Sequence, residues 1–181
     1  MKSVYFDSSV FLAIIGGAPQ AENIRLLVSE LKRRKVRIIT SIITVQEVSV
    51  STFRRGVPAL DNYAVINKMA RILSIDKDIA LTAAKYEAHA LDSFPSSNAA
   101  DKAQENKRRK IDCFHIACAV VNEASTVYSL DKGMIKKGQG FRLPGIAFLE
   151  PEPTEPMLDL RASSPHSDYT PPMKAPEEAR A

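Results

Sequence analysis

Short aliphatic runs alternate along this chain with longer stretches of helical periodicity. Val4–Phe6 predicts a strand, and Ser8–Ile15 a helix directly behind it. Ala21–Lys35 has the spacing of an amphipathic helix, and Val36–Thr40 is a β-branched run that predicts a second strand. Thr44–Phe53 and Leu60–Arg71 predict helices, with Gly56 and Pro58 ending the first of them. Ile72–Ile75 predicts a short extended piece and Lys77–Leu91 a strong helix. Ile111–Glu123 is almost wholly apolar and predicts a buried helix, followed by strands at Thr126–Leu130 and Ile146–Leu149. Strands alternating with helices predict an α/β fold with a mainly parallel sheet covered on both faces.

Two segments break the rhythm. Residues 92–110 are polar, contain Pro95-Ser96-Ser97-Asn98 and end in Lys107-Arg108-Arg109-Lys110, which predicts a surface excursion ahead of the buried helix. Residues 151–181 hold seven prolines and little aliphatic content, too little to offset the entropy of ordering, so a disordered tail is expected. The domain expectation is therefore one unit over 1–149, with the excursion at 92–110, and a Pro-rich acidic tail over 150–181.

Composition sharpens this picture. A chain of 181 residues suits one compact domain. No apolar run is long enough to span a bilayer, and the first strand begins so early that no leader is expected. Cys113 and Cys118, five apart in one apolar segment, would point in different directions on a helix and are expected to be reduced core residues of a cytoplasmic protein. The net charge is +4, but from Glu150 onward seven acids face three bases, a balance of −4, so residues 1–149 carry +8. A basic body suits a polyanion such as nucleic acid, although a solvated cationic surface reads the same way.

Four acids carry the candidate chemistry. Asp7 and Asp131 each follow a strand, whereas Glu47 and Asp112 lie near helix starts. Each has an ordinary explanation. Asp7 and Asp131 could cap the helices behind them. Thr44-Val45-Gln46-Glu47 fits a capping box, and Asp112 would sit in a first turn favoured by the helix dipole. In a parallel sheet, however, all four fall at the carboxyl edge of the strands, where α/β folds bind ligands. Four converging carboxylates repel unless a cation neutralises them or some stay protonated. An all-oxygen set suits Mg²⁺ or Mn²⁺, and zinc is disfavoured because no His/Cys set has ligand spacing. Asp112 is the only charge within Ile111–Ala117, and burying it is costly without a partner. His115, one turn on, is either a support for the acids or a satisfied core residue. Ser9 and Ser129 could hydrogen-bond the acids or merely shape turns.

These residues resemble PIN-domain ribonucleases, most closely the VapC-type toxins of toxin–antitoxin pairs. Val4-Tyr5-Phe6-Asp7-Ser8-Ser9 resembles the family's first motif, Thr44–Val48 the second, Ile111–Ala119 the third and Val127–Asp131 the fourth. The resemblance covers roughly residues 2–149 and implies a three-layer α/β/α sandwich. It implies Mg²⁺- or Mn²⁺-dependent endonucleolytic cleavage of RNA, with Asp7, Glu47, Asp112 and Asp131 as metal-binding catalytic acids and Ser9, Ser129 and His115 behind them. Basic clusters at Arg54-Arg55, Lys107–Lys110 and Lys136-Lys137 are candidates for gripping RNA phosphates. A small antitoxin protein is the implied partner, a homodimer is compatible, and no membrane is involved. The rival readings are a non-cleaving PIN-like module that binds RNA or protein, and a metal-dependent DNA nuclease.

Overall fold

A computed structural model describes residues 2–54, 56, 59–93 and 102–153. Five strands form one sheet: β1 (Ser3–Phe6), β2 (Arg37–Ser41), β3 (Arg71–Leu73), β4 (Ala124–Tyr128) and β5 (Ala147–Leu149). Their order is β3-β2-β1-β4-β5, and every neighbouring pair is parallel. The helices among the described residues are α1 (Ser8–Gly16), α2 (Ala21–Arg33), α3 (Ile42–Phe53), α4 (Ala59–Met69), α5 (Lys77–Ser93), α6 (Lys102–Val121) and α7 (Lys132–Gly140).

The alternation of side chains along the strands builds two cores, one on each face of the sheet. On one face Val4, Phe6, Ile38 and Tyr128 pack with Val10, Phe11, Ile24, Leu27, Val48 and Ile66 from α1 to α4. On the other, Tyr5, Ile39, Val127 and Phe148 pack with Ile79, Ile116 and Met134 from α5 to α7. Burial on both faces is why the strands read as continuous apolar runs rather than alternating ones. Cys113 and Cys118 are buried and unpaired by disulfide; burial pushes their thiols up to about 11 and about 12. They therefore stay protonated.

The strand order reverses direction at the centre. From β1 the chain moves outward through β2 and β3, and it returns to place β4 on the other side of β1. This leaves a crevice at the carboxyl ends of β1 and β4, the switch point where open α/β sheets bind ligands.

Three expectations need correction. Residues 102–110 form the first half of α6, continuous with the buried helix, instead of an excursion. The run Ala103-Gln104-Glu105 is composed of good helix formers, and Ala103, Gln104 and residues 106–108 are exposed, so the polarity here belongs to the solvent face of a helix. Asp112 consequently lies in mid-helix and gains nothing from the helix dipole. Helix α3 begins at Ile42 with Ser41 at its N-cap, so Thr44 and Glu47 form no capping box. Instead the Thr40 hydroxyl donates to the Phe6 carbonyl at 2.7 Å with the Thr44 hydroxyl 2.8 Å away, tying the ends of β1 and β2 together. Packing also runs past residue 149, because Pro151 is buried. Arg55, residues 94–101 of the expected excursion and the tail from 154 lie outside the described residues.

Candidate active site

Asp7 ends β1 and is 4% exposed. Its backbone is extended, and its Oδ1 accepts the N–H groups of Ser9 (3.0 Å) and Val10 (3.4 Å), so it is the N-cap of α1. The helix closes at Gly17, whose positive φ of 66° admits the left-handed turn. Two serines complete the shell of Asp7. Ser9 Oγ donates to Oδ1 at 2.6 Å and accepts the Leu130 N–H at 2.8 Å. Ser129 Oγ donates to Oδ2 at 2.6 Å and accepts the Asp131 N–H at 2.9 Å. Each hydroxyl thus joins one Asp7 oxygen to the backbone that leaves β4. Ser129 serves Asp131 only through its amide. Burial raises the Asp7 carboxyl above its ordinary value, opposed by His115, Ser129, Ser9 and the Val10 amide.

Glu47 projects from α3 and meets the ring of His115 on α6, with Oε2 2.9 Å from Nε2. Behind it, His115 Nδ1 lies 2.7 Å from the Tyr5 hydroxyl, which lies 3.0 Å from Ser41 Oγ. The Tyr5 hydroxyl donates to Ser41 Oγ, and the imidazole is held between the phenol oxygen and the Glu47 carboxylate. Burial pushes the Glu47 carboxyl up, but the hydrogen bond and charge of His115, aided by Ser8, outweigh it and hold the carboxyl below its ordinary value. His115 is 2% exposed, so it is a core residue that also supports an acid. Tyr5, Ser41 and Ser8 carry no sequence signal for this role, since a tyrosine within an apolar strand reads as core.

The Tyr5 hydroxyl is the link most open to test. Tyr5→Phe strips the buried Nδ1 and Ser41 Oγ of a shared partner while keeping the ring. Unfolding in urea should show a loss of about 1–3 kcal/mol. An unchanged midpoint would mean that the two groups find other partners.

Asp112 Oδ2 is bound by the ammonium of Lys137 from α7, and both side chains are largely buried. Burial raises the Asp112 carboxyl, Lys137 lowers it and the nearby charge of Asp131 raises it again, with a net upward shift. Asp131 is exposed and caps α7, accepting Gly133 N–H at 2.7 Å and Met134 N–H at 3.3 Å.

All four acids line a single cleft of about 560 Å³ at the switch point, with His115 and Ser9 in its wall and Lys107 and Arg108 on its α6 side. The other basic candidates lie elsewhere. Arg54 is exposed and shares a neighbouring hollow with Glu47 and Val50. Lys110 and Lys136 are exposed but do not line the cleft. Arg109 is buried against Asn106 (3.1 Å) and Glu105 (3.9 Å) within α6, and so offers no surface grip. Lys137 faces a carboxylate, not solvent.

Among the described residues, no three His, Cys, Asp or Glu side chains stand close enough together to hold a metal ion. Each acid is engaged separately: Asp7 by its cap and serines, Glu47 by His115, Asp112 by Lys137, and Asp131 by the amides of α7. The donor chemistry nonetheless fits a hard divalent ion, because the cleft offers carboxylate oxygens and no thiolate.

No curated protein sequence matches the chain significantly. Among solved structures, the fold is similar to VapBC-1 from nontypeable Haemophilus influenzae, with a TM-score of 0.55 and 11% identity over 82% of this chain and 97% of that one. It is similar to VapBC2 from Rickettsia felis, bound to a DNA fragment from their promoter, with a TM-score of 0.55 and 12% identity over 82% and 98%. A toxin–antitoxin complex from Klebsiella pneumoniae gives a TM-score of 0.51 and 17% identity over 80% and 95%. No helix among the described residues is long and apolar enough to cross a membrane. The sequence itself matches the PIN domain model over residues 4–139, a span that contains all four acids of the cleft, and the chain belongs to the PIN domain family.

Proposed function

We propose that this PIN domain is a Mg²⁺- or Mn²⁺-dependent endoribonuclease and the toxin of a toxin–antitoxin pair. The observation that carries the reading is the single cleft lined by Asp7, Glu47, Asp112 and Asp131 with Lys107 and Arg108 beside them. Paired basic and acidic walls suit a phosphodiester that must be both gripped and cut. Lys107 and Arg108 would neutralise phosphates and position the strand without reading its sequence. Asp7 would supply a fixed oxygen at the floor of the cleft, its orientation set by Ser9 and Ser129. Glu47 would supply a second, kept ionised by His115. Asp112 and Asp131 would complete the set from the far wall. A bound divalent ion would acidify water and stabilise the charge that develops on the phosphate.

The toxin–antitoxin complex among the structural neighbours supports an antitoxin partner. Exposed Val50 and Phe53, on the helix that carries Glu47, offer apolar surface beside the cleft. The buried, protonated thiols of Cys113 and Cys118 suit a reducing, cytoplasmic setting.

One contact favours a second reading. An acid already neutralised by Lys137 suits a module that binds RNA without cutting it. Incubating the full chain with RNA and with DNA of the same sequence, in Mg²⁺ or Mn²⁺ and again with chelator, separates the readings. The expected result is internal cleavage of RNA that stops on chelation. Binding without cleavage would support the non-cleaving module, and equal cleavage of DNA the DNA nuclease.

A further inference from the structure

One acid of the cleft is already paired with a cation of the protein. Asp112 lies in the middle of α6 with its side chain 18% exposed, and its Oδ2 is bound by the Lys137 ammonium, whose side chain is 16% exposed. Lys137 lies on α7, the helix whose N-cap is Asp131. One helix therefore presents Asp131 to the cleft and Lys137 to the carboxylate of Asp112. Its neighbour Lys136 is exposed, as a lysine that served only to meet polyanions from solvent would be.

The position is informative because charge must balance there. Asp112 is poorly hydrated, and Asp131 adds a second negative charge nearby. An ammonium in contact with Asp112 supplies the compensation that a divalent ion would otherwise provide. An ammonium on Oδ2 and a divalent ion on the same carboxylate would lie side by side and repel each other.

We propose that Lys137 is a resident counter-cation of Asp112 that has to leave before a divalent ion can bind, so that Lys137 sets how much metal the site requires. The inference rests on the reading of the cleft as a metal site. It reassigns Lys137 from phosphate grip to metal competition, and the two roles differ in sign. Loss of a phosphate-gripping lysine weakens RNA binding and leaves metal affinity alone. Loss of a competing cation tightens metal binding.

The experiment is Mn²⁺ binding to the full chain without RNA, read by electron paramagnetic resonance of free Mn²⁺, for the native chain and Lys137→Met. Removing a unit positive charge in contact with a largely buried ligand should tighten Mn²⁺ binding at least about tenfold. In parallel, native protein carrying ¹³Cε-labelled lysine is titrated with Mg²⁺. The Lys137 resonance should move towards those of exposed lysines such as Lys136 as the site fills. Equal or weaker Mn²⁺ affinity in Lys137→Met overturns the inference while leaving the metal site standing, as does a Lys137 resonance unmoved at Mg²⁺ saturation. If neither protein binds Mn²⁺, the metal reading itself fails and this inference with it. Should Lys137→Met not fold, the titration of the native chain decides alone.

Discussion

Asp7→Asn should reduce RNA cleavage about a thousandfold and yet leave the protein folded. The loss follows from removing one charged oxygen from the floor of the cleft, since charge stabilisation at a phosphoryl centre supplies several kcal/mol and each 1.36 kcal/mol is tenfold in rate. The fold survives because asparagine retains one oxygen for the N-cap of α1 and for Ser9. Its amide can donate to Ser129 Oγ, whose own proton can turn to Ser9 Oγ, 3.4 Å away. Stability in chelator gives the substitution a second signature. Burial raises the folded Asp7 carboxyl above its ordinary 3.8, so the folded chain holds its proton more tightly than the unfolded one. That contribution is complete below the ordinary value and is lost as pH rises through the folded value. Melting temperatures measured from pH 4 to pH 7 in chelator should therefore show Asp7→Asn gaining on the native chain as pH rises. Added Mg²⁺ should stabilise the native chain and not the variant. Undiminished cleavage by Asp7→Asn would remove Asp7 from the site.

The largest effect on stability is expected at Gly138, on the side of α7 that meets β5. It lies within α7, where replacing glycine with alanine ordinarily gains up to about 1 kcal/mol of helix propensity. Here a Cβ would overlap the ring of Phe148, a buried residue of β5. The ring is clamped between α7 and the sheet in the second core, so either the helix or the strand has to move. Overpacking of this kind costs about 1–3 kcal/mol, and with overlap against a whole ring edge the upper end should outweigh the propensity gain. Gly138→Ala should therefore lose about 2 kcal/mol net, or roughly 4–8 °C in Tm for a chain of this size. Pairing it with Phe148→Leu should restore part of the loss, a coupling that a double-mutant cycle reads directly. A higher Tm for Gly138→Ala would show that α7 does not approach β5 so closely. The same shift would disturb the cleft, because α7 carries both Asp131 and Lys137.

The sequence alone determined the parts of this protein whose signals are local. Strand and helix order, the parallel sheet with two buried faces and the caps at Asp7 and Asp131 all follow from neighbours within a few positions. The ordered set of four acids was legible for the same reason, since each sits in a short motif with its own apolar context. Where local signals conflicted, the reading failed. Polarity over residues 102–110 suggested a surface excursion ahead of the buried helix, but an exposed helical turn has the same composition, and only the continuity of α6 decided. Arg109 was taken for surface because three basic neighbours flank it; helical phase, invisible to a count of charges, turned it inward. What the tertiary structure decided is who holds each acid. Lys137 meets Asp112 across 25 residues, His115 meets Glu47 across 68, Tyr5 meets His115 across 110 and Ser129 meets Asp7 across 122. Those pairings depend on which strands lie side by side and on how α6 and α7 pack against them. That arrangement arises from the burial of all the apolar faces at once, and no single stretch of sequence encodes it.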